Sequence, residues 1–245
     1  MLNQPINDDM VVTAGRLDPL PEPVQRYMRW TGVVGQPWIR TAHVRQEGRF
    51  RLGADKPWMP MQAEQVFSVD PPGFVWRARF KMYGLPLLSA RDSYRDGQGH
   101  MFGKAAGLIT LFDDRSEKLT QGALIRYLSE MIWLPVAYLG DNVTWTAVDG
   151  HSADVTLSDH GRTASGRMFF DELGRPMTFE AMRYQEKNGE YTLLPWHTPS
   201  HEYGLMGGLN IPVRGEVCWI MPEGKLTYGD FKIVSVEYNR PSDAL

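Results

Sequence analysis

Cysteine is the residue type in which this sequence is poorest, since Cys218 is the only one among 245 residues. One cysteine cannot form an intramolecular disulfide, and it excludes zinc and iron–sulfur sites that need several thiolates. Cys218 lies in the apolar run 217–220, which favours an inert, buried thiol. The chain therefore has to fold by burying apolar side chains, and its length is sufficient for a real core.

The sequence also has no excess of positive charge, because its formal net charge is −3 and its pI is about 6.1. A nucleic-acid surface needs a clustered basic excess, and the arginine cluster at residues 40–51 is interrupted by Glu47. Long apolar runs are missing too, and residues 1–5 do not open a secretory signal. We therefore expect a cytoplasmic protein with no nucleic-acid partner and no stable membrane insertion.

Motifs for nucleotide binding and for nucleophilic catalysis are absent as well. The sequence contains no Gly-x-Gly-x-x-Gly after a strand, no Gly-Lys-Ser/Thr phosphate loop and no Gly-x-Ser-x-Gly elbow. We therefore expect no cofactor, and any catalysis would depend on acid–base side chains.

Aromatic side chains are what the sequence has in quantity, with 8 Trp, 10 Tyr and 10 Phe. Residues 74–82 alternate apolar and polar side chains, which is the period of a half-buried strand. Similar runs lie between residues 38 and 114 and from 143 onward, and Asn188-Gly189 is the strongest hairpin signal between them. The pattern predicts a mostly β (α+β) fold, a single large curved antiparallel sheet or half barrel of roughly ten to twelve strands, with helices covering its concave face.

Two segments replace the strand pattern with helical spacing. The first begins after a proline-rich stretch at 19–23 and ends at Gly32. Its predicted buried face consists of Val24, Tyr27, Met28 and Thr31. The second covers residues 119–134 and ends before Pro135. The stripe that it is predicted to turn toward the sheet contains Leu124, Leu128 and Met131.

No linker, repeat or low-complexity tract divides the chain. Residues 1–17 show little periodicity and are interpreted as an N-terminal arm. Residues 18–245 are interpreted as a single β-rich domain, a length that one β domain can reach.

Several motifs resemble those of one bacterial protein family. They are LPEPVQRY at 20–27, PPGFVWRA at 71–78, RDSY at 91–94, GALIRYLSE at 122–130 and IPVRGEV at 211–217. In this order they are similar to motifs of the DUF6544 family, which has no established activity. The strand–helix–strand order further resembles the lipoprotein-carrier (LolA-like) half barrel, and this resemblance implies a concave face that holds acyl chains beneath helices. Such an analogy concerns the fold, and similar folds host unrelated functions.

Six polar side chains beside predicted apolar strand or helix faces are the candidate catalytic residues. They are Glu64, Tyr94, Arg126, Glu130, His201 and Glu216. A carboxylate or imidazole in apolar surroundings tends toward a shifted pKa, as proton transfer near neutral pH requires. Glu64 or His201 would move the proton, while a Tyr or Arg side chain would stabilise developing negative charge. Arg126 and Glu130 fit either an exposed i,i+4 pair or, inside a concavity, a buried acid–base pair.

Aromatic side chains are the candidate ligand-binding residues, because they favour apolar pockets. The predicted lining consists of Trp76, Tyr127, Trp133, Tyr184, Trp196, Tyr203 and Trp219.

Two further polar groups have competing interpretations. His197 and His201 would share a face on a helix, but neighbouring prolines disfavour one, and in a strand they would stand roughly 13 Å apart. We therefore expect no metal site. Arg77, Arg79 and Lys81 form either an anion-binding patch inside the cavity or a charge ladder on the solvated convex face, and we favour the ladder.

Two functions of different classes fit these observations. The first is a cofactor-independent enzyme of the lyase or isomerase type, acting on a hydrophobic small molecule, aromatic ones included. The second is a non-catalytic carrier of a lipid or other hydrophobic ligand in a LolA-like half barrel. We expect the enzyme. Converging ionisable groups in the cavity would favour it, whereas a wholly apolar lining would favour the carrier. The partner is a hydrophobic small molecule in both cases, and the sequence leaves a homodimer open.

Overall fold

Strands account for most of the chain, as the alternating pattern predicts. The computed structural model describes residues 10–82, 84–187 and 189–240, so that Asn188 of the predicted hairpin turn lies outside the described residues. The strands of the first half are β1 (Thr41–Phe50), β2 (Met59–Ser68), β3 (Gly73–Met82), β4 (Leu85–Arg95), β5 (Gln98–Ala105) and β6 (Ile109–Asp114). Those of the second half are β7 (Val143–Asp149), β8 (Ser152–Asp159), β9 (Arg162–Phe170), β10 (Pro176–Lys187), β11 (Glu190–His197), β12 (Ser200–Met206), β13 (Leu209–Met221) and β14 (Gly224–Tyr238).

Within the described residues these 14 strands form one antiparallel sheet. Neighbours along the sheet follow the order β6-β5-β4-β3-β2-β1-β14-β13-β11-β10-β9-β8-β7, and β12 pairs with β13 beside this path. The two halves of the chain meet at the centre, where β1 pairs with β14. The sheet has two arms, one made of strands from each half of the chain.

The first helix, α1 (Glu22–Thr31), follows the predicted pattern. Pro23 lies in its first turn, where the missing N–H has no helical partner to lose. Gly32 ends the helix with a φ of 75°, a left-handed conformation that glycine adopts without steric cost. All four residues of the predicted buried face are buried, so this prediction is confirmed.

The second helix, α2 (Glu117–Glu130), begins where Ser116 Oγ accepts a hydrogen bond from the Leu119 N–H. The prediction that it continues to Leu134 is wrong, because the chain tightens into 3-10 turns at Met131–Trp133 and Pro135–Leu139. Tyr138 Oη donates to the carbonyl of Leu128 at 2.8 Å. That carbonyl would accept the next amide of a continuing helix, and the tyrosine satisfies it instead.

The sheet curls around α2 and forms a half barrel. α2 packs against β4 and β5 in one arm and against β9 and β10 in the other, and its Thr120 Oγ1 accepts from the Gly99 N–H at 3.1 Å. Tyr94 Oη on β4 donates to Asp159 Oδ2 on β8 at 2.6 Å and so connects the two arms directly. The predicted curved antiparallel sheet with helices over its concave face is confirmed.

Two side chains of the predicted arm, at 12 and 17, pack into the core, while most of residues 10–17 are exposed. Val12 and Leu17 are buried, and Val11 forms an isolated bridge with Pro37. Residues 1–9 and 241–245 lie outside the described residues. No helix among the described residues has the length and apolarity needed to cross a membrane.

Candidate functional site

The inner face of β1 to β5 presents the side chains that could contact a ligand. On β3, Trp76, Ala78 and Phe80 are buried, while Arg77 and Arg79 between them are exposed. Alternate side chains of a strand point to opposite faces of its sheet. The apolar series therefore faces the concavity, and the arginines lie on the convex, solvated face that the charge-ladder interpretation favours.

A row of small side chains crosses this inner face, and we call it the alanine row. The strand register aligns Ala63, Ala78, Ala90 and Gly103 on β2, β3, β4 and β5. Strands lie about 4.8 Å apart, so the row extends over roughly 14 Å. The Phe112 ring covers Gly103, because a Cβ placed there would come within 2.3 Å of it. Ala63 and Ala78 are buried and Ala90 is half-buried. We call this strip of small side chains, together with the larger side chains that flank it, the trough.

Aromatic rings line the trough on the side of the β1–β2 and β3–β4 turns. The ring centroid of Phe80 lies 5.6 Å from that of Phe50 and 6.3 Å from that of Trp76. The Phe50 centroid is 5.4 Å from Tyr228, which stacks on Trp219 at 6.1 Å. Phe50 and Tyr228 are half-buried. This aromatic wall gives an apolar ligand large, rigid contact surfaces.

α2 places a polar network along the opposite side of the trough. Gln65, Trp76 and Asp92 form the row of inward side chains next to the alanine row. Arg126 donates from Nη1 to Asp92 Oδ2 at 2.7 Å and from Nε to Glu130 Oε1 at 2.8 Å. The other Glu130 oxygen, Oε2, accepts from Gln65 Nε2 at 2.7 Å. The predicted Arg126–Glu130 pair is therefore the buried one of its two alternatives.

The network continues onto β1 and the aromatic side chains. Trp76 Nε1 donates to Gln46 Oε1 at 3.0 Å, and Gln46 Nε2 donates to Gln65 Oε1 at 3.4 Å. The Arg126 guanidinium lies 4.8 Å from the Trp76 ring centroid and 5.1 Å from that of Phe74. Both rings present their negative faces to the cation, which contributes to holding α2 on the sheet.

Burial sets the electrostatics of this network. It raises the pKa of Glu130, against the opposing effects of Arg126 and Gln65. Burial disfavours the charge on Arg126, yet Glu130 and Asp92 together raise its pKa, so that the guanidinium stays charged. Asp92 Oδ1 is buried and has no hydrogen-bond partner among the described residues. Two carboxyl groups thus share one cation.

A second arginine reaches the inner face from β10. Arg183 Nε donates to the carbonyl of Gly122 on α2 at 3.1 Å. Its guanidinium lies 4.8 Å from the Trp196 ring centroid and 6.0 Å from that of Trp219. Trp196 Nε1 in turn donates to Tyr228 Oη at 2.8 Å, which connects this cluster to the aromatic wall.

Among the described residues, the other candidate catalytic side chains form no hydrogen bond with Arg126 or Glu130. Glu64 is exposed on the outer face, where Oε1 lies 3.4 Å from Arg45 Nε. His201 Nε2 lies 3.7 Å from Glu216 Oε1, and Glu216 Oε2 accepts from Lys225 Nζ at 3.0 Å. Glu64 and His201 are exposed and contact neither Arg126 nor Glu130, whereas Glu216 lines the small cavity that Glu130 also lines.

Tyr94 is buried where the two arms meet. Burial, together with its hydrogen bond to Asp159, raises the pKa of its hydroxyl. The hydroxyl already donates to that carboxylate, so its position is structural: it joins β4 to β8.

The seven predicted lining residues fall into three groups. Trp76, Trp196 and Trp219 lie around the trough as described. Tyr127 and Trp133 are buried in the core, where Tyr127 Oη donates to the Ser68 carbonyl and Trp133 Nε1 donates to the Pro212 carbonyl.

The third group, Tyr184 and Tyr203, lies at the periphery. Lys118 Nζ stands 5.3 Å from the Tyr184 ring centroid. Tyr203 Oη donates to the Pro176 carbonyl at 3.1 Å, and its ring meets Trp30 edge-on. Both rings therefore have partners away from the alanine row.

Gln46, Gln65 and Asp92 are site residues that the sequence interpretation did not propose for the cavity. Each occupies an inward position of its strand, between apolar residues two positions away. The sequence does contain a signal for them: a polar side chain at a strand position where the alternating pattern predicts a buried apolar one. Such a buried polar group needs a hydrogen-bond partner.

A small cavity lies behind the network. It has a volume of about 30 Å³, enough for one water molecule, and its lining includes Glu130, Trp133, Trp196, Thr198 and Glu216. Thr198 Oγ1 is buried and lacks a partner among the described residues, which suits such a polar cavity.

The two histidines considered as metal ligands lie in strands, as the prolines predict. His197 Nδ1 lies 3.5 Å from Glu180 Oε1, whereas His201 pairs with a different carboxylate, that of Glu216. Within residues 10–82, 84–187 and 189–240, no group of three or more His, Cys, Asp or Glu side chains could hold a metal ion.

Comparison with known proteins identifies relatives by family and by fold. The model of a family of unknown function, DUF6544, matches residues 10–231. Among curated proteins, no sequence matches this chain. A DUF1329 family protein from Desulfovibrio piger shares 10% identity and a TM-score of 0.52, over 91% of this chain and 95% of its own. A LolA superfamily protein from Nitrosomonas europaea shares 9% identity and a TM-score of 0.48, over 95% of this chain and 96% of its own. The first likeness shows a shared fold.

Proposed function

The chain belongs to the DUF6544 family, and we propose that it is a non-catalytic carrier that binds a hydrophobic or amphiphilic small molecule along its alanine row. The observation that carries the proposal is the alanine row itself, with the aromatic wall on one side and the α2 network on the other. An extended apolar chain would lie on the methyl groups of Ala63, Ala78 and Ala90 and against the rings of Phe50 and Phe80. Ligand pockets commonly combine such an apolar lining with a few fixed polar groups.

The polar network supports a positioning role for α2 over proton transfer. Both Glu130 oxygens accept hydrogen bonds, and Arg126 is occupied by two carboxylates and two aromatic rings. A general acid or base must have a site open to its substrate within hydrogen-bond reach. Glu64 and His201 are exposed, and Glu216, which shares the small cavity with Glu130, is hydrogen-bonded to Lys225. These observations favour a carrier over the lyase or isomerase.

The end of the half barrel that carries the β1–β2, β3–β4 and β13–β14 turns offers a route to the trough. Met82, Leu88, Met221 and Leu226 lie on or near these strand ends and are only half-buried. Methionine and leucine side chains adapt their shapes to irregular apolar ligands. We propose that the ligand reaches the alanine row between these side chains.

The test is a titration of the full chain with cis-parinaric acid, a fluorescent fatty acid, and with a long-chain alkyl alcohol as a competitor. We expect saturable binding that the alcohol displaces. The Ala78→Trp variant should bind at least tenfold more weakly, because the indole would fill the trough above β3.

Gln62→Trp is the matched control, since it adds the same indole to the outer face of the adjacent strand and should bind as the parent does. Circular dichroism and a denaturant titration establish that both variants are folded. Absence of saturable binding by the parent, or unchanged binding by folded Ala78→Trp, would refute the proposed function.

A further inference from the structure

A groove lies on the outer face of the sheet, opposite the trough. It has a volume of about 630 Å³ and is lined by outward side chains of β1 to β5 and by Val234 of β14, with Gln46, Ala63, Ala78 and Ala90 between them along the strands. Among its lining residues are four arginines, Arg45, Arg77, Arg79 and Arg91, and only two acids. The groove is therefore both concave and positively charged, although the whole chain carries a net charge of −3.

The acids of the groove are already engaged. Glu64 Oε1 lies 3.4 Å from Arg45 Nε, and Glu47 Oε1 accepts from Gln62 Nε2 at 3.2 Å. Glu64 is also the cross-strand neighbour of Arg77, but its ion pair is with Arg45 on the other side.

Three arginines are left without an ion pair among the described residues: Arg77, Arg79 and Arg91. The register places Arg77 directly opposite Arg91, and like charges in this position destabilise a sheet unless an anion lies between them. Arg91 Nε is buried and has no hydrogen-bond partner in the described part of the chain. A buried donor without a partner has a free-energy cost that a ligand oxygen would remove.

We propose that this groove binds a phosphate-bearing ligand. Arg77 and Arg79 are two residues apart on one face, about 7 Å, and Arg91 lies about 5 Å across the sheet. A phosphate group offers more acceptor oxygens than a carboxylate and carries more charge, so it can accept from several guanidinium groups at once. Lys104 occupies the next position beyond Ser89 on the same outer face and adds a further positive charge. The arginine side chains of this site lie on the face of the sheet opposite the trough.

The experiment is isothermal titration of the full chain with pyrophosphate at low salt, with inorganic phosphate as a less charged probe. We expect saturable pyrophosphate binding that weakens as salt is added, because exposed charges are screened. The Arg77→Gln/Arg91→Gln variant should bind about 100-fold more weakly, at about tenfold per arginine.

Arg162→Gln/Arg167→Gln is the matched control. It removes the same charge from β9, where these arginines already pair with Glu117 and Asp154, and should bind as the parent does. Pyrophosphate should also raise the Tm of the parent and of this control but not that of Arg77→Gln/Arg91→Gln. This thermal shift in the parent tests the site even if the groove variant is poorly folded.

A second experiment distinguishes a soluble ligand from a lipid headgroup. The parent is sedimented with phosphatidylglycerol vesicles and with phosphatidylcholine vesicles. Binding of pyrophosphate would identify the ligand as a soluble phosphate compound. Sedimentation with the phosphatidylglycerol vesicles only, and its loss in Arg77→Gln/Arg91→Gln, would identify it as a lipid headgroup. The proposal would be overturned if the parent bound neither pyrophosphate nor anionic vesicles, or if folded Arg77→Gln/Arg91→Gln bound as well as the parent. Phe50→Ala, which removes a ring of the aromatic wall and does not line the groove, should bind pyrophosphate normally, so this result is separate from that of the trough.

Discussion

The inner network includes single polar residues at strand positions that otherwise carry buried apolar side chains. Arg126 and Glu130 are recognisable in the sequence because i,i+4 spacing joins them on one helix face. Their third partner, Asp92, is supplied by β4, and no local pattern connects it to a helix more than thirty residues later. Glu64 illustrates the converse. Its neighbours in sequence, Ala63 and Gln65, are buried, and adjacent side chains of a strand point to opposite faces. The strand pattern therefore places Glu64 on the outer face.

At the residue scale we expect Arg126 to be indispensable for stability. Arg126→Leu leaves Asp92 and Glu130 buried together without a cation, which should reduce the free energy of unfolding by about 3–5 kcal/mol. Urea titration measures the loss. Arg126→Leu combined with Asp92→Asn and Glu130→Gln should recover much of the stability, because no uncompensated charge is then buried. An Arg126→Leu variant as stable as the parent would show that the network carries no such charge.

At the scale of elements, local signals predict where a helix begins better than where it ends. The predicted stripe of the second helix is confirmed, since Leu124, Leu128 and Met131 are all buried. The end of α2 depends on Tyr138, which satisfies the Leu128 carbonyl from outside the helix. Such a tertiary contact has no periodicity, so the spacing of apolar residues extends the helix too far.

We expect Leu128 to be the most sensitive position of α2. Leu128→Asp would bury a carboxylate without a partner at a site with 0% exposure, and should cost roughly 4 kcal/mol or more. Denaturant titration gives the value. Leu205→Asp is the control, because Leu205 is 71% exposed and the same substitution there should change stability by about 0.5 kcal/mol or less. Equal stability of both variants would mean that α2 does not pack on the sheet through Leu128.

At the scale of the whole molecule, the family resemblance and the half barrel could be predicted from the sequence. Which side chains come together at the candidate site could not. The motifs between residues 20 and 217 resemble those of DUF6544, and the family match over residues 10–231 confirms this. Alternation predicts the strands, yet the pairing of β1 with β14 joins residues nearly two hundred positions apart. The arrangement that separates Glu64 and His201 from Arg126, and that brings Glu216 to the cavity behind Glu130, depends on this long-range register.

That same pairing leads us to expect one cooperative unit. Strands of both halves share the centre of the sheet, α2 contacts both arms, and Tyr94 joins β4 to β8. Urea unfolding followed by far-UV circular dichroism and by Trp fluorescence should therefore give coincident transitions. Tyr94→Phe, which removes the link between the arms, should lower stability by about 1–2 kcal/mol and leave the two transitions coincident. Separate transitions, or two folded halves released by proteolysis near residue 115 or 140, would instead mean that each arm folds on its own and that the trough lies between two domains.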